Sequence, residues 1–475
     1  MKKFPVFLVL LLSGMSAIAR DGYKIKVRLT DKRDSMVYLA YYFGKSLPTI
    51  YKTDSARLDK DGNAYFEKKD KITGGIYMIL PEDRKSYFEF LLNNGDDISI
   101  TATMSELPES LKFKNSPENE DFMAYQKFLK TTAEGQEQLR TQLAGARTTA
   151  DTARIREASQ KLNDAVLAYR KKYVSTHPGT LLGSILRAVE IPQVPEGKHY
   201  LPNGKVDSTF GYRYYKDHFW AGFDFRDDRL IHTPLLDMKL NEFFNKVVYQ
   251  HEDSVIIYAD TILNRMKESE NLFKYTLNWL STNAQTSKVM GMDKVFVHLV
   301  VNYYMKGMAT WLSNEELNKY VDRAAKIAPN ILNSPAPELK AVDQNNKPRT
   351  LHEIDAKYTL LVFYSPDCGH CMQEMPKLDS LYKAKLRDLG VKVFAFNVDA
   401  EEEKWRNFIK KYDLKEWTHV WDPQRKSKYW ASYDVIATPA MYLIDEKKII
   451  KGKKLDHTNI ARVIELTELR KKEGK

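Results

Sequence analysis

Apolar and polar residues alternate from Tyr23 to about Met104, most clearly in Tyr23-Lys24-Ile25-Lys26-Val27-Arg28-Leu29 and Asp97-Ile98-Ser99-Ile100-Thr101. A period of two places every second side chain on one face of a strand. Asp61-Gly62-Asn63, Gly74-Gly75 and Asn93-Asn94-Gly95-Asp96 break the runs with turn-forming residues. Residues 20–116 therefore predict a small antiparallel β-sandwich, in which Asp96 and Asp97 read as turn residues rather than metal ligands.

The period lengthens after Pro117. Ile155, Leu162, Val166, Tyr169 and Tyr173 form one helical stripe, and Leu235, Leu236, Leu240, Phe243, Phe244, Val247 and Val248 form a second. Val295 to Met305 forms a third. Residues 117–332 thus predict an all-α domain, punctuated by Pro178-Gly179, Pro192, Pro195 and Pro202-Asn203-Gly204. The aromatic-rich stretch from Tyr212 to Phe225 is expected to be core or a docking seam rather than a recognition surface.

Asn333-Ser334-Pro335-Ala336-Pro337 reads as a linker into a last domain, 333–475, where the pattern changes again. A hairpin over Leu339 to Leu351 precedes an apolar strand ending near Phe363. A helix then runs to about Leu389, followed by a strand over Val391 to Val398 and a helix near Glu402 to Tyr412. Strands at Ala440 to Ile444 and Lys448 to Ile450 and a closing helix, Ile460 to Lys472, complete it. Alternating strands and helices predict an α/β sheet with helices on both faces. The whole is a multidomain chain, as its 475 residues suggest.

The first nineteen residues follow another plan. Lys2 and Lys3 precede the apolar run Phe4 to Leu12, and Ala17-Ile18-Ala19 closes it, which is the layout of a secretory signal peptide, 1–19. The apolar part is short for a permanent span, and no later segment approaches one. The expectation is a soluble, exported protein of the periplasm or cell envelope, with no transmembrane span once the signal is removed. The net charge is +11, but Lys and Arg are interleaved with Asp and Glu, and no basic block carries interleaved aromatics. Nucleic acid is therefore not an expected partner.

Both cysteines of the chain sit in one motif, Cys368-Gly369-His370-Cys371, directly after the apolar strand. Zinc would need four ligands, and the sequence has no second cysteine pair and no histidines in finger spacing. A structural disulfide across so short a loop would remove little denatured-state entropy. A C-x-x-C that follows a strand and opens a helix inside a βαβ pattern reads instead as a thioredoxin-type redox centre. Free N–H groups and the dipole of a helix N-terminus favour the first cysteine's thiolate. Neither a metal nor a cofactor is expected.

The run Leu361-Val362-Phe363-Tyr364-Ser365-Pro366-Asp367-Cys368-Gly369-His370-Cys371-Met372-Gln373-Glu374-Met375-Pro376, with Ala437-Thr438-Pro439 later, resembles the TlpA/ResA-type thiol-disulfide oxidoreductases of the redoxin superfamily. The resemblance covers about Pro335 to Lys475. It implies a thioredoxin fold and a redox-active Cys368–Cys371 disulfide. Cys368 would be the attacking and Cys371 the resolving thiol, and Glu374 would assist proton movement at Cys371. Thr438 and a cis Pro439 would line the substrate side. Pro376 falls where the family kinks its helix while apolar periodicity continues through Leu378, Leu381 and Leu386.

Two positions depart from the pattern. Asp367 stands where tryptophan is usual, and a charge there would oppose the Cys368 thiolate if it pointed inward. Val362 stands where thioredoxin keeps a buried aspartate. Gly369 and His370 tune the potential. A Cys-Gly-His-Cys motif also occurs in protein disulfide isomerase, whose potential lies roughly 90 mV above thioredoxin's, or about 4 kcal/mol. His370 thus pulls toward oxidant and the family likeness toward reductant.

The function implied is an envelope thiol–disulfide oxidoreductase, acting as a reductase on protein disulfide or thiol clients and recharged by a membrane thiol relay. One alternative is a thiol peroxidase, although Leu361 and Ser365 replace the proline and threonine of that signature. The other is an envelope binding protein with an accessory redox domain.

Overall fold

The computed structural model describes residues 21–472. The expected signal peptide, 1–19, lies outside the described residues. Contacts divide the chain into two compact units. One holds residues up to Val247 together with Arg265–Phe273, and the other holds Val248–Asn264 and everything from Lys274 onward.

The first unit opens with eight strands: β1 (Tyr23–Leu29), β2 (Met36–Tyr41), β3 (Tyr51–Arg57), β4 (Asn63–Lys68), β5 (Gly75–Pro81), β6 (Phe88–Leu92), β7 (Asp96–Ala102) and β8 (Lys112–Lys114). They form two four-stranded sheets, β4-β1-β7-β8 and β3-β2-β5-β6. The period of two does the work expected of it. Tyr23, Ile25, Val27 and Leu29 of β1 and Ile98, Ile100 and Ala102 of β7 point into a core shared with Val37, Leu39, Tyr77, Ile79 and Phe90 of the other sheet. One ladder departs from the antiparallel expectation. β1 and β7 run parallel, Tyr23 opposite Asp96 through Leu29 opposite Ala102, because β2, β3, β5 and β6 build the second sheet, and β4 the far edge of the first, before the chain returns.

Helices follow from Pro117, as the longer period predicts. Pro117–Gly145 and Thr149–Thr176 are the longest, and Ile155 and Tyr173 of the first predicted stripe are buried. The second stripe is a helix, Leu235–Glu242, continued by a π-helical turn over Phe243–Val247. In the aromatic-rich stretch Phe219, Trp220, Phe223 and Phe225 are core residues, whereas Tyr212 is exposed and no residue of helix Phe210–His218 is buried, so only the second half of the segment is interior. Among the described residues, no helix is long and apolar enough to cross a membrane.

The second unit combines helices, among them Asp293–Leu299 and Asn314–Ile327, with a seven-stranded sheet. Its strands are β9 (Lys340–Asp343), β10 (Pro348–Thr350), β11 (Tyr358–Tyr364), β12 (Val391–Asn397), β13 (Thr418–Trp421), β14 (Ala440–Asp445) and β15 (Ile450–Lys453). The order is β10-β9-β13-β12-β11-β14-β15. β11 sits near the middle, parallel to β12 and antiparallel to β14, and all seven of its residues are buried. That two-sided burial explains its uninterrupted apolar sequence.

The three long helices of this region gather in one cluster. Residues of Gly369–Leu381, Glu402–Lys411 and Ile460–Lys472 pack with Leu360, Val362 and Tyr364 of β11. Leu361 and Phe363 belong to a second cluster, covered by Tyr429, Tyr433 and the segment carrying Ala336, Leu339 and Leu351. The last strand starts two residues later than predicted. Asp445 accepts the N–H groups of Lys447 and Ile449 and Lys448 takes a positive φ, so the expected start of the strand is spent on a turn.

Candidate active site

β11 ends at Tyr364, and the chain needs four residues to turn into the next helix. The Ser365 hydroxyl donates to Asp399 Oδ2 (2.5 Å) and accepts the Asp367 N–H (3.2 Å), and the Cys368 N–H donates to the Ser365 carbonyl (3.2 Å). This turn puts Cys368 at the N-cap of helix Gly369–Leu381. Cys371 follows one turn further in on the same side of the helix: it is fully buried with Met375 and Leu378, whereas Cys368 is half-buried and His370 exposed. Both cysteines are free thiols. The helix continues beyond Pro376 to Leu381 and then through a π-helical turn over Tyr382–Leu386.

Cys368 Sγ lies 3.1 Å from the Thr438 carbonyl, which accepts its S–H. The next peptide bond, Thr438–Pro439, is cis, the isomer that the family resemblance implies. Five of the predicted residues, Cys368, Gly369, Cys371, Thr438 and Pro439, are thus brought to one place.

The two sulfurs differ electrostatically. Burial pushes the Cys368 thiol up, but hydrogen bonding with Thr438 and Cys371 and the main-chain N–H groups of Cys371 and His370 outweigh it, leaving the group below the ordinary thiol value. Burial pushes Cys371 up to about 12, with the neighbouring Cys368 adding to the rise and the Ser365 main chain opposing it.

Asp367 does not act against the thiolate in the way an inward charge would. Its side chain is exposed and pairs with Lys404 (2.9 Å), which also pairs with Glu401. Glu374 is one turn beyond Cys371, and its carboxylate is held by His457, which donates its main-chain N–H (2.6 Å) and Nδ1–H (2.9 and 2.8 Å).

Sequence reasoning missed a buried polar chain behind Cys371. Trp405 Nε1–H donates to Tyr364 Oη (2.8 Å), and Tyr364 donates to His419 Nδ1 (3.0 Å). His419 Nε2–H donates to the Leu414 carbonyl (2.7 Å), which fixes the tautomer. Burial drives the Tyr364 phenol well above its usual value, and the charge of Cys371 adds to that rise. Tyr364 lies on the same face of β11 as Val362, two residues nearer the cysteines. The polar group near Cys371 on this face is therefore a hydroxyl rather than a carboxylate. The run LVFY already contained the tyrosine, but its partners lie 41 and 55 residues away, beyond the reach of local patterning.

Comparison with known proteins places these features. The AhpC/TSA family model matches residues 332–453. Two models for domains of unknown function, DUF4369 and DUF5106, match residues 23–122 and 159–330. The chain is similar to the thiol-disulfide oxidoreductase ResA of Bacillus thuringiensis subsp. konkukian, with 31% identity over 124 residues, covering 26% of this chain and 69% of that protein. ResA of Bacillus cereus is 32% identical over 111 residues, and the chain spans 62% of its length. Among solved structures, a domain of a possible thiol-disulfide isomerase from Cytophaga hutchinsonii is 34% identical. It covers 31% of this chain and 99% of its own, at a TM-score of 0.30. A thioredoxin-like protein from Bacteroides caccae is 17% identical, covering 57% of this chain and 98% of its own, at a TM-score of 0.47.

Two outcomes are expected from this geometry. Iodoacetamide at pH 7 should alkylate Cys368 of the reduced protein well before Cys371, as peptide mapping of a time course would show; equal rates would contradict the asymmetry. The second concerns His419, whose pKa burial lowers to about 4. Unfolded histidine titrates near 6.5. The unfolded chain therefore binds a proton that the folded chain refuses, and stability falls as pH drops from about 6.5 to 4, by about 3 kcal/mol from this residue. His232, in the other unit, is lowered in the same direction. Urea titrations of His419→Gln should show a shallower acid slope than wild type, and an unchanged slope would rule this contribution out.

Proposed function

We propose, for a chain that belongs to the TlpA/ResA-like thiol-disulfide oxidoreductases with a thioredoxin fold, that it exchanges disulfides with protein clients in the cell envelope as a reductase. The observation that carries this reading is the asymmetric pair. Cys368 is a helix N-cap thiol with a lowered pKa beside Thr438 and cis Pro439, and Cys371 is buried behind it and raised to about 12.

The Cys368 thiolate attacks one sulfur of a client disulfide. A Cys368–client bond forms, the client's own S–S bond breaks, and the departing client sulfur takes a proton. Cys371 then gives up its proton and attacks Cys368. The Cys368–Cys371 disulfide forms, and the client leaves with both sulfurs reduced. A dithiol donor, in an envelope a membrane thiol relay, must return two electrons to the pair. Gly369 leaves open space where a side chain would stand, so a client can approach the thiol. His370, exposed, tunes the potential of the pair. Glu374 receives or supplies the resolving proton through the position that His457 holds. Residues 20–116 and 117–332 select clients for the redox domain, 333–475, after residues 1–19 direct export.

The AhpC/TSA match also suits a peroxidase. Ser365, at the position of that signature's threonine, commits its hydroxyl proton to Asp399 and so is poorly placed to activate a peroxide at Cys368.

Full-length Cys371→Ser should accumulate mixed disulfides through Cys368 in cells, whereas Cys368→Ser should yield none and should lose insulin reduction by at least a hundredfold. Recovery of no mixed disulfides from Cys371→Ser would overturn the client-reductase reading. Direction is tested by equilibrating the pair with glutathione. A potential near −270 mV fits a reductase, and one above about −200 mV would make the protein an oxidant or isomerase.

A further inference from the structure

A pocket of about 360 Å³ opens beside Pro439, within the size range of small-ligand sites. Part of its wall is Pro439, Ala440 and Met441. The rest includes Asp293 and Arg323, which precede the thioredoxin-like domain in sequence but belong to the same compact unit. Pro439 is bonded to Thr438, whose carbonyl touches Cys368 Sγ. The pocket therefore begins one residue from the sulfur at which a client would be joined.

Its charges are unevenly used. Lys453 is buried and spends its three N–H groups on Asp293 Oδ2 (2.5 Å), Asn330 Oδ1 (2.5 Å) and the Asn330 carbonyl (2.9 Å). Arg323 pairs with Asp434. Two acid–base pairs cancel, which leaves Lys454. It is exposed, and its partner is the Ser287 carbonyl at 3.4 Å; no carboxylate pairs with it among the described residues. Its main chain sits at a positive φ of 54°, which fixes where the side chain departs. The pocket thus carries one surplus positive charge.

We propose that this pocket binds the stretch of client polypeptide next to the client's cysteine, and that it favours a stretch bearing an acidic side chain. Lys454 pairs with the client carboxylate. This rests on the reading of Cys368 as the attacking thiolate. It adds to that reading a substrate class, clients with Asp or Glu within a few residues of the reactive cysteine, and a source of selectivity outside the thioredoxin-like domain. Like charge at such a rim repels wrong clients as well as attracting right ones.

The test uses single-turnover reduction by the pre-reduced full chain. The substrates are three disulfide peptides that differ only in carrying Glu, Gln or Lys two residues after the cysteine. Wild type should reduce the Glu peptide about fivefold faster than the Lys peptide at low salt, the span expected of an exposed ion pair, and the gap should shrink at 0.5 M NaCl. Lys454→Glu should reverse the order and leave Cys368 alkylation unchanged. Lys454→Gln should abolish the preference. Equal rates for all three peptides, or a Glu preference that survives in Lys454→Glu, would overturn the pocket while exchange itself stands. Reduction of none of the peptides by wild type would overturn the exchange reading and the pocket with it.

Discussion

Two neighbouring sulfurs on the first turn of one helix differ here in burial, and the chemistry proposed for this chain depends on that difference. A three-residue step keeps the two side chains neighbours but moves the second from the N-cap, where main-chain N–H groups are unsatisfied, one turn deeper into the apolar cluster. Cys368 gains hydrogen bonds that favour its anion, while Cys371 loses water and gains apolar neighbours. The rise of Cys371 from 9 to about 12 is worth about 4 kcal/mol in favour of its thiol. That is large enough to keep the second thiol silent until a mixed disulfide brings the reactive bond to it. Part of the rise comes from Cys368 itself. In the exchange proposed above, joining Cys368 to a client would remove that charge, so the first step would lower the barrier to the second.

The rest of the fold serves to hold this junction still. β11 is buried on both faces and cannot shift without breaking two ladders. The turn after it is fixed by Ser365, Asp399 and Asn397, the last of which accepts the Asp399 N–H. Behind it the Trp405–Tyr364–His419 chain satisfies three polar side chains in an apolar cluster. An unpaired member there would cost about 1–3 kcal/mol, so each enforces the placement of the other two. Pro439 closes the opposite side.

What the sequence revealed was local. The alternation of β1 and β7, the apolar run of β11, the C-x-x-C and the Thr438–Pro439 pair each depend on neighbours a few residues away, and each fell where the pattern put it. What it hid was non-local. β13 is four residues long and shows no alternation, so His419 had no strand to stand on until the sheet was assembled. The parallel pairing of β1 with β7 joins residues 73 apart. The histidine that holds the Glu374 carboxylate lies 83 residues later in the chain. Lys454 carried no signal in a chain rich in lysine. It stands out only once the other charges of its pocket are seen to be paired.

The Glu374–His457 pair bears on where the resolving proton goes. Thioredoxin's buried aspartate position is Val362 here, so no carboxylate on that face of β11 takes the proton, and the Tyr364 hydroxyl nearby is already committed to His419. Glu374 sits one turn beyond Cys371 and is partly exposed, and His457 fixes it through both its main chain and its ring. A carboxylate so held has its orientation fixed by His457 while remaining in contact with water. A proton leaving Cys371 by way of Glu374 would therefore reach solvent along the first helix rather than through the sheet. In the proposed exchange that route would separate the exit of the proton from the Thr438–Pro439 side assigned to the client, so the two could proceed together in the resolving step.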